Sequence, residues 1–363
     1  MKILVRAPIG TTSGYGRDGV GLVRALLSRD HHVDVIPTAV LPPIPVEVAE
    51  LLTYPILNSG YDLEIHHVPP MDAEAGEFNK TRSKKVVLWS MWEWDNISSD
   101  YPWFEKVKEN MQRYDKVVAY TPQSLDAFKG AGFIREGQET AVLQGGFETG
   151  PWRAPYEMPD EVQKLFPYRK FVRDTFKFAM LGHLSLRKNP YTVLQAFREL
   201  KSEMGDAFDA ELIFKTGFPL LPPDFESPGV RFIQEINWTD EQVRAFYWSI
   251  DCLINVSWGE GKNLPSMEAT MSGTPLILND IPGHRGWVHP GIQTLVPATA
   301  MPMQDGYDGR FTCKDDVKSA MLEVYNNRAA SYDRAKQLAA YISKRATWDF
   351  RVLKFGEKVG VNL

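Results

Sequence analysis

The chain has 363 residues, a length that suits two α/β domains of ordinary size better than one core. Its 44 % hydrophobic and 24 % charged residues are typical of a soluble globular protein, and no stretch reaches the roughly 20 apolar residues of a membrane span. The net charge of −5 gives no electrostatic footprint for nucleic acid, and the early charge at Arg6 argues against a signal peptide. A cytoplasmic protein without a membrane span is therefore expected.

Strands and helices alternate along the first third of the chain. Short apolar and β-branched runs predict strands at residues 2–7, 32–37, 61–66, 85–89 and 116–121. Apolar residues at helical spacing predict a helix over 19–27, and a Thr-Pro pair at 121–122 predicts the start of another. Alternation of this kind implies a parallel, doubly wound sheet.

A second alternating series follows a stretch rich in Gly, Pro and charge at 145–173. Strands are predicted at 176–181, 211–215, 230–233, 252–256 and 275–278, with helices at 191–200 and 240–249. The predicted division is an N-terminal Rossmann-like domain (1–150), a linker (151–172), a C-terminal Rossmann-like domain (173–340) and a helix in 341–363 that could pack back on the first domain. Ligands of such sheets bind at the carboxyl ends of the strands, so the loops there are the place to look for a site.

The first candidate motif is the glycine-rich segment from Gly14 to Gly19. It matches the dinucleotide-binding fingerprint, and Asp34 stands 20 positions after Gly14, where an acid would bind the ribose. A predicted loop at 8–13 separates the glycines from the strand, however, whereas the fingerprint needs them directly after it. The segment is interpreted as a glycine loop that faces a ligand phosphate at a helix N-terminus. A turn with close helix packing is the alternative.

The second candidate motif occupies residues 257–275 and predicts a strand end, a loop, a helix and a new strand. Pro265 suits the first turn of the helix and Gly273 suits its C-terminal cap. Two glutamates stand 8 positions apart, Glu260 between two loop glycines and Glu268 in the helix. The free N–H groups at the start of this helix would attract a diphosphate.

The third candidate motif is the strand-to-helix loop at 181–190, which contains Arg187 and Lys188. A pair of cations beside a leaving diphosphate would stabilise the charge that develops as the sugar–oxygen bond breaks. By itself, such a pair is more often a solvated surface feature.

The sequence indicates no metal site. Cys252 and Cys313 are too few for a disulfide framework and have no metal-binding spacing. No paired-acid site of the Asp-x-Asp type follows a predicted strand, because Asp62, Asp95 and Asp115 stand singly. We therefore expect no cofactor and no requirement for metal.

Together these motifs resemble the retaining GT-B glycosyltransferases of the large family 4 type, the glycosyl transferases of group 1. The resemblance is carried by Ser13-Gly14-Tyr15-Gly16-Arg17, by Arg187-Lys188-Asn189-Pro190 with Ala196-Phe197, by Asp251 to Ser257, by Gly259-Glu260-Gly261 with Leu264-Pro265 and Glu268-Ala269, and by Gly273-Thr274-Pro275. It implies an α/β fold of two Rossmann-like domains whose parallel sheets face each other across a cleft. It also implies metal-independent transfer of a sugar from a nucleotide-sugar donor with retention of configuration.

The resemblance implies that Glu260, Lys188 and Arg187 are the catalytic residues. Glu260 would contact hydroxyls of the donor sugar, and Lys188 would neutralise the diphosphate. The family's partner arginine is replaced by His183 here, and Arg187 would take over its part. Displacement would take place on the front face, with the leaving phosphate helping to deprotonate the acceptor.

The resemblance also implies a set of donor contacts, in which Glu268 would accept hydrogen bonds from the ribose. Lys262 stands where the family usually has phenylalanine and would add a cation near the donor. The expected donor-binding residues are Gly14, Tyr15, Gly16, His183, Lys262, Asn263, Leu264, Ser266 and Glu268.

The acceptor is expected against Trp92, Glu93 and Trp94, which follow the fourth predicted strand. Many relatives carry a sugar-contacting histidine here, and Glu93 occupies about that place. Strand alternation would direct both tryptophans to one face, where aromatic rings stack well on sugars. Packing of an interdomain hinge is the alternative, and two of the four tryptophans between 89 and 103 are expected in the core.

The donor nucleotide, the sugar, the acceptor and the oligomeric state are left open by the sequence. The expected donor is a UDP- or GDP-sugar. The acceptor is a glycan, a protein, a metabolite or a modified nucleobase in DNA, the last not indicated by the charge. The alternatives to a glycosyltransferase are an NAD-dependent oxidoreductase and a non-catalytic sugar- or nucleotide-binding module.

Overall fold

The computed structural model describes residues 1–10, 13–52, 60–70, 82–100, 103–152, 175–182, 185–217, 227–234, 238–303 and 307–363. These residues group into two α/β domains, each built around a parallel sheet. The candidate residue His183 and most of the predicted linker at 151–172 lie outside the described ranges.

The N-terminal domain is built around a six-stranded sheet. Its elements are β1 (Lys2–Gly10), α1 (Gly14–Leu27), β2 (His32–Leu41), α2 (Val46–Ala49), β3 (Leu63–His66), β4 (Val86–Ser90), α3 (Phe104–Gln112), β5 (Lys116–Ala119), α4 (Pro122–Gly130) and β6 (Glu139–Val142). The strand order is β2-β1-β3-β4-β5-β6, with every pairing parallel. The central strands β3 and β4 are buried along their whole length, and the polar side chains that β3 carries, Glu64 and His66, are hydrogen-bonded to each other.

The first strand is longer than the sequence predicts. β1 continues through Pro8 to Gly10, and a register shift between Ala7 and Pro8 accommodates the proline in a central strand. Only residues 11–13 separate this strand from α1, so the predicted loop at 8–13 is wrong. The spacing argument against a dinucleotide-binding fingerprint is correspondingly weaker.

The glycines of the first motif lie inside α1 and not in a turn. The helix begins at Gly14, where the Ser13 hydroxyl accepts a hydrogen bond from the amide of Gly16 and caps the helix. A Cβ atom added at Gly19 would lie 2.2 Å from the carbonyl oxygen of Pro8. This glycine therefore permits close packing of the helix on β1, which was the alternative reading of the motif.

The C-terminal domain is built around a five-stranded parallel sheet with the order β11-β10-β7-β8-β9. Its elements are β7 (Phe176–Leu181), α5 (Pro190–Met204), β8 (Ala210–Thr216), β9 (Val230–Gln234), α6 (Asp240–Ser249), β10 (Cys252–Asn255), α7 (Leu264–Met271), β11 (Leu276–Leu278), α8 (Pro282–Arg285), β12 (Thr299–Pro302), β13 (Asp308–Phe311), α9 (Lys314–Asn326) and α10 (Arg328–Arg345), and one more helix, α11 (Trp348–Val359), follows them in the chain. The antiparallel pair β12–β13 is absent from the sequence-based prediction, as is β6 in the first domain. None of the helices in the described ranges has the length and hydropathy of a membrane span.

The last helix of the chain completes the N-terminal domain. The chain leaves α10 at Arg345 and enters α11 at Trp348, so the predicted single helix in 341–363 is two pieces. Trp348, Val352 and Phe355 belong to the same hydrophobic cluster as β1 and α1. Phe355 stacks on Trp89 of β4 with ring centroids 4.4 Å apart. The C-terminal domain is therefore connected to the N-terminal domain twice, once by the chain that precedes β7 and once by the chain that runs from α10 into α11.

We expect Gly21→Ala in α1 to destabilise the protein and Gly130→Ala in α4 to leave it nearly unchanged. A Cβ atom at Gly21 would lie 2.1 Å from Nε1 of Trp348, whereas nothing lies within 4 Å of one at Gly130. Overpacking of a buried aromatic ring typically costs about 1–3 kcal/mol, so the Tm of Gly21→Ala should fall by several degrees. Thermal unfolding followed by circular dichroism checks this, and equal Tm values for the two variants would contradict the packing of α11 on α1.

Candidate active site

The candidate site lies where loops from the carboxyl ends of both sheets meet. The segment after β4 contributes Glu93, the short 3₁₀ helix Leu186–Lys188 follows β7, and the loop 256–263 follows β10. A Cβ atom added at Gly259 would lie 1.8 Å from the carbonyl oxygen of Glu93. The absence of a side chain at this position thus allows the N-terminal domain to touch the loop that carries Glu260.

Glu260 is the centre of this site and is 4 % exposed. Its Oε1 accepts hydrogen bonds from the Lys188 ammonium, from Ser257 Oγ at 2.8 Å and from Asn255 Nδ2 at 3.3 Å. Burial alone would raise the pKa of this carboxyl, but the charges of Lys188 and Arg187 outweigh it and hold the pKa well below its ordinary range. Glu260 is therefore ionised at neutral pH and presents a hydrogen-bond acceptor.

Arg187 connects the two domains at this point. Its Nη1 lies 3.4 Å from Glu260 Oε2 and its Nη2 lies 3.0 Å from Glu93 Oε2. The same guanidinium also donates to the carbonyl oxygen of Gly259. The two predicted cations, Arg187 and Lys188, thus lie in the cleft in ion pairs with Glu260 and Glu93 and are not a solvated surface pair.

In the described ranges, no group of three or more His, Cys, Asp or Glu side chains is arranged to hold a metal ion.

The start of α7 is shaped by a buried hydrogen-bonded chain that includes a histidine absent from the sequence-based prediction. Asn263 adopts a left-handed backbone conformation, and its Nδ2 donates to Ser266 Oγ and to His284 Nε2, both at 2.7 Å. His284 Nδ1 donates to the carbonyl of Asn279 at 2.8 Å, which leaves Nε2 as the acceptor. Burial lowers the pKa of His284 to about 4, so it is neutral at physiological pH. No motif marks His284, which follows β11.

Glu268, in α7, is held by residues from two other helices. Tyr247 of α6 donates its hydroxyl to Glu268 Oε2 at 2.8 Å, and Arg17 of α1 lies 4.0 Å from Oε1. Arg17 also pairs with Asp240 at the start of α6, which joins the two domains a second time. Burial raises the pKa of Glu268, and the charge of Arg17 opposes this shift. Tyr247 and Arg17 were not predicted as site residues, although Arg17 belongs to the first motif.

The remaining donor-side candidates occupy different surroundings. A Cβ atom at Gly14 would lie 3.4 Å from Leu264 Cδ1, so the starts of α1 and α7 are close together. The Tyr15 hydroxyl donates to the carbonyl of Met91 at 3.4 Å. The amide of Gly16 is already bonded to Ser13 Oγ, so the structure does not support a direct contact between this amide and a ligand.

Lys262 is not directed at the donor side of the loop. Its ammonium donates to Asp18 Oδ1 at 2.6 Å and to the carbonyl oxygen of Gly146. Lys262 and Asp18 are both 2 % exposed. The structure therefore does not support the prediction that Lys262 adds a cation near the donor, because its charge is neutralised by Asp18 inside the N-terminal domain.

The acceptor-side segment is only partly available to a ligand. Trp92 is buried, and its Nε1 donates to the carbonyl of Asn96 at 2.7 Å, so the predicted aromatic face at Trp92 is not supported. The alternation argument fails here because β4 ends at Ser90. Trp94 stacks on Tyr307 of the C-terminal domain at 5.3 Å. Glu93 is the member that faces the cleft, with a side chain that is 40 % exposed.

Sequence comparisons connect the second domain with a known family. Residues 175–305 match the family described as Glycosyl transferases group 1. The uncharacterized glycosyltransferase 335 of Sulfolobus islandicus rod-shaped virus 1 is 28 % identical over 128 residues, which are 34 % of this chain and 38 % of that protein. The serotype-specific mannosyltransferase WbdA of Escherichia coli is 26 % identical over 204 residues, 53 % of this chain and 24 % of that protein. The matches thus span well under half the length of either relative.

Structural comparisons extend over both domains. The structure of Anabaena Alr3699/HepE in complex with UDP and glucose superposes with a TM-score of 0.67 and 16 % identity, covering 99 % of each chain. A trehalose-6-phosphate structure from E. coli, bound with UDP-2-fluoro glucose, superposes with a TM-score of 0.69 and 12 % identity over 99 % of each chain. At these identities the likeness establishes the fold. The chain therefore has the GT-B fold of two Rossmann-like domains, and its residues 175–305 match the group 1 glycosyltransferase family.

Proposed function

We propose that the protein is a retaining, metal-independent glycosyltransferase of the cytoplasm that uses a UDP- or GDP-sugar as donor. The observation that carries the proposal is the buried, ionised Glu260 beside Lys188 and Arg187, next to the N-terminus of α7. A carboxylate that accepts hydrogen bonds suits sugar hydroxyls, and two cations with a helix N-terminus suit a diphosphate. UDP and glucose in the Anabaena structure support the same class of donor.

The cations supply the catalytic field in this proposal. As the bond between the anomeric carbon and the diphosphate oxygen breaks, negative charge builds up on the phosphate, where Lys188 and Arg187 stabilise it. The acceptor oxygen forms the new bond to the same carbon on the same face, and its proton passes to the departing phosphate oxygen. Because the positive field comes from these side chains and from α7, we propose that no metal ion is needed.

The donor is held by two carboxylates with separate tasks. Glu260 would hold the sugar, and Glu268 would hold the ribose, as the family resemblance implies. Tyr247 fixes the orientation of Glu268 through its hydroxyl. Asn263, oriented by His284, sets the start of α7, where the backbone of Leu264 would meet the diphosphate.

A ligand screen tests the proposed class. UDP or GDP is expected to raise the Tm, and NAD and NADP are expected to have no effect, because only a bound ligand stabilises the folded state. Hydrolysis of UDP- and GDP-sugars is expected to continue in excess EDTA. Stabilisation by a dinucleotide alone would favour the oxidoreductase. Nucleotide binding without turnover of any donor would favour a binding module, and rescue of EDTA-treated protein by manganese would refute metal independence.

The catalytic assignment predicts a large loss of turnover in two variants. Glu260→Gln and Lys188→Met should each lower kcat about 100-fold or more, because each removes a charged group from the reacting centre. The matched control is Lys84→Met, which removes an exposed lysine paired with Asp62. Donor hydrolysis at saturating donor measures the effect, with Tm measured in parallel. Wild-type turnover in both site variants would show that the roles are misassigned.

The ribose assignment predicts a different kinetic signature for Tyr247→Phe. Loss of the hydroxyl releases Glu268 from its fixed orientation, so the donor KM should rise about three- to tenfold with kcat nearly unchanged, as expected for a contact that is equal in ground and transition states. The control Tyr332→Phe removes a hydroxyl that donates to Asp251 Oδ1 at 2.9 Å, at the amino end of β10. A fall in kcat without a change in KM would contradict the assignment.

On the acceptor side we propose that Glu93 contacts the acceptor. Its carboxylate faces Arg187 across the cleft, and desolvation there raises its pKa against the opposing charge of Arg187. Glu93→Gln is expected to raise the acceptor KM while UDP affinity and Tm change little. Glu105→Gln, at an exposed position of α3, is the control. Weaker UDP binding with unchanged acceptor kinetics would place Glu93 in the donor site instead.

A further inference from the structure

A second pair of opposite charges lies on the far side of the Glu260 loop. Lys262 extends from this loop into the N-terminal domain, where its ammonium donates to Asp18 Oδ1 at 2.6 Å and to the carbonyl oxygen of Gly146. Asp18 belongs to α1, and Gly146 follows β6. A side chain of the C-terminal domain is thus buried among groups of the other domain.

The pocket that receives the ammonium is built by four residues, and we refer to it as the Lys262 pocket: Asp18, Tyr120, Gly146 and Trp348. Tyr120 donates its hydroxyl to Asp18 Oδ2 at 2.9 Å, which satisfies the second carboxylate oxygen. The ring of Trp348 lies 5.2 Å from the ammonium, within the range of a cation–π contact. The Asp18 carboxylate, the Gly146 carbonyl and the Trp348 ring therefore each attract the positive charge of Lys262.

Burying the Lys262 ammonium in such a pocket costs free energy unless its partners are placed to form good hydrogen bonds and an ion pair. A buried charge loses its hydration and needs a partner and hydrogen bonds in return. Buried ion pairs contribute little net stability, but they tolerate few alternative arrangements. The Lys262 pair is therefore better suited to fixing a position than to stabilising the fold.

The pair fixes the loop between two candidate donor contacts. Lys262 stands between Glu260 and Asn263, and its own carbonyl accepts a hydrogen bond from Trp287 Nε1 at 2.8 Å. The preceding carbonyl, of Gly261, accepts one from Gln144 Nε2 at 3.1 Å, also from the first domain's segment after β6. Movement of the N-terminal domain away from this loop would break the contacts of Lys262 with Asp18 and Gly146 together with the Gln144 contact, whereas the Trp287 contact lies within the C-terminal domain.

We propose that Lys262 is a positioning residue that couples the separation of the two domains to the placement of Glu260 and Asn263. It acts through these neighbours and does not itself bind the donor. The catalytic consequence rests on the proposed glycosyltransferase function, whereas the coupling of domain separation to Lys262 can be measured without any donor.

The test uses variants of the whole 363-residue chain, above all a double variant, called the charge-free pair, in which both Lys262 and Asp18 are replaced by uncharged residues. Lys262→Met alone leaves the Asp18 carboxylate buried without its cation and is expected to lower the Tm. Lys262→Met with Asp18→Asn removes both charges at nearly constant volume and is expected to fold, as replaced buried pairs commonly do. The matched control is Lys84→Met with Asp62→Asn, an exposed pair at 2.7 Å that lies at the amino end of β3, away from the cleft.

The first readout is the distance between the domains, measured by electron spin resonance. Labels are placed on the exposed Cys313 and on a cysteine introduced at the exposed Glu105, while the buried Cys252 stays unlabelled. The wild type and the control pair are expected to give one narrow distribution. The charge-free pair is expected to give a broader distribution that extends to longer distances.

The second readout is the separation of binding from turnover. In the charge-free pair, kcat on a donor that the wild type hydrolyses should fall about tenfold or more, while the Kd for UDP stays within about twofold. A raised Kd for UDP would assign Lys262 to direct donor binding and overturn the proposal. An unchanged distance distribution would overturn it as well, and so would unchanged kcat on a hydrolysed donor.

Two further outcomes are also decisive. If the charge-free pair fails to fold, the Lys262 pair is a requirement of the fold, and the positioning role is refuted. If the wild type neither binds UDP nor hydrolyses any donor, the proposed function fails, and the distance measurement still decides whether Lys262 couples the domains.

Discussion

The arrangement of the site depends on keeping the Glu260 carboxylate ionised while it is buried. Burial of an unpaired carboxylate costs on the order of several kcal/mol, so such a group stays charged only beside cations and hydrogen-bond donors. The cations come from Lys188 and Arg187 in the loop after β7, whereas Glu260 follows β10. These two strands must therefore be neighbours, which is their place in the order β11-β10-β7-β8-β9.

The same requirement links the electrostatics of the site to the position of the N-terminal domain. Arg187 divides its charge between Glu260 and Glu93, and Glu93 approaches only because Gly259 has no side chain. On the other side of the loop, the Lys262 ammonium is paired with Asp18. A change in domain separation would alter both contacts. The electrostatics of the loop 256–263 and the geometry of the cleft are consequently not independent properties.

The sequence predicts those features that depend on local pattern. Buried parallel strands form apolar runs, and Glu260, Glu268 and Lys188 occupy motif positions, so the fold class and the family resemblance were accessible. The missed strands are short and carry few buried side chains, as in β6 and the fully exposed β12. Tyr247 and His284 escaped prediction because each lies outside the motifs and reaches its partner in the second motif across 21 residues of chain.

Burial distinguishes two lysines that the sequence analysis expects near the donor, Lys188 as a catalytic residue and Lys262 as an additional cation. Lys188 and Lys262 both come close to Glu260 in the fold or the chain, and either could have served a diphosphate. The side chain of Lys188 is 13 % exposed and pairs with a carboxylate at the cleft, so an entering anion can share its ammonium. The side chain of Lys262 is 2 % exposed and its ammonium is paired with the equally buried Asp18, so an anion could reach it only by breaking that pair. Although Lys262 is only two residues from Glu260 in the loop, its side chain points away from the cleft, because its buried countercharge is Asp18 of the N-terminal domain. Under the proposed function, one lysine therefore serves the ligand and the other serves the loop that holds it.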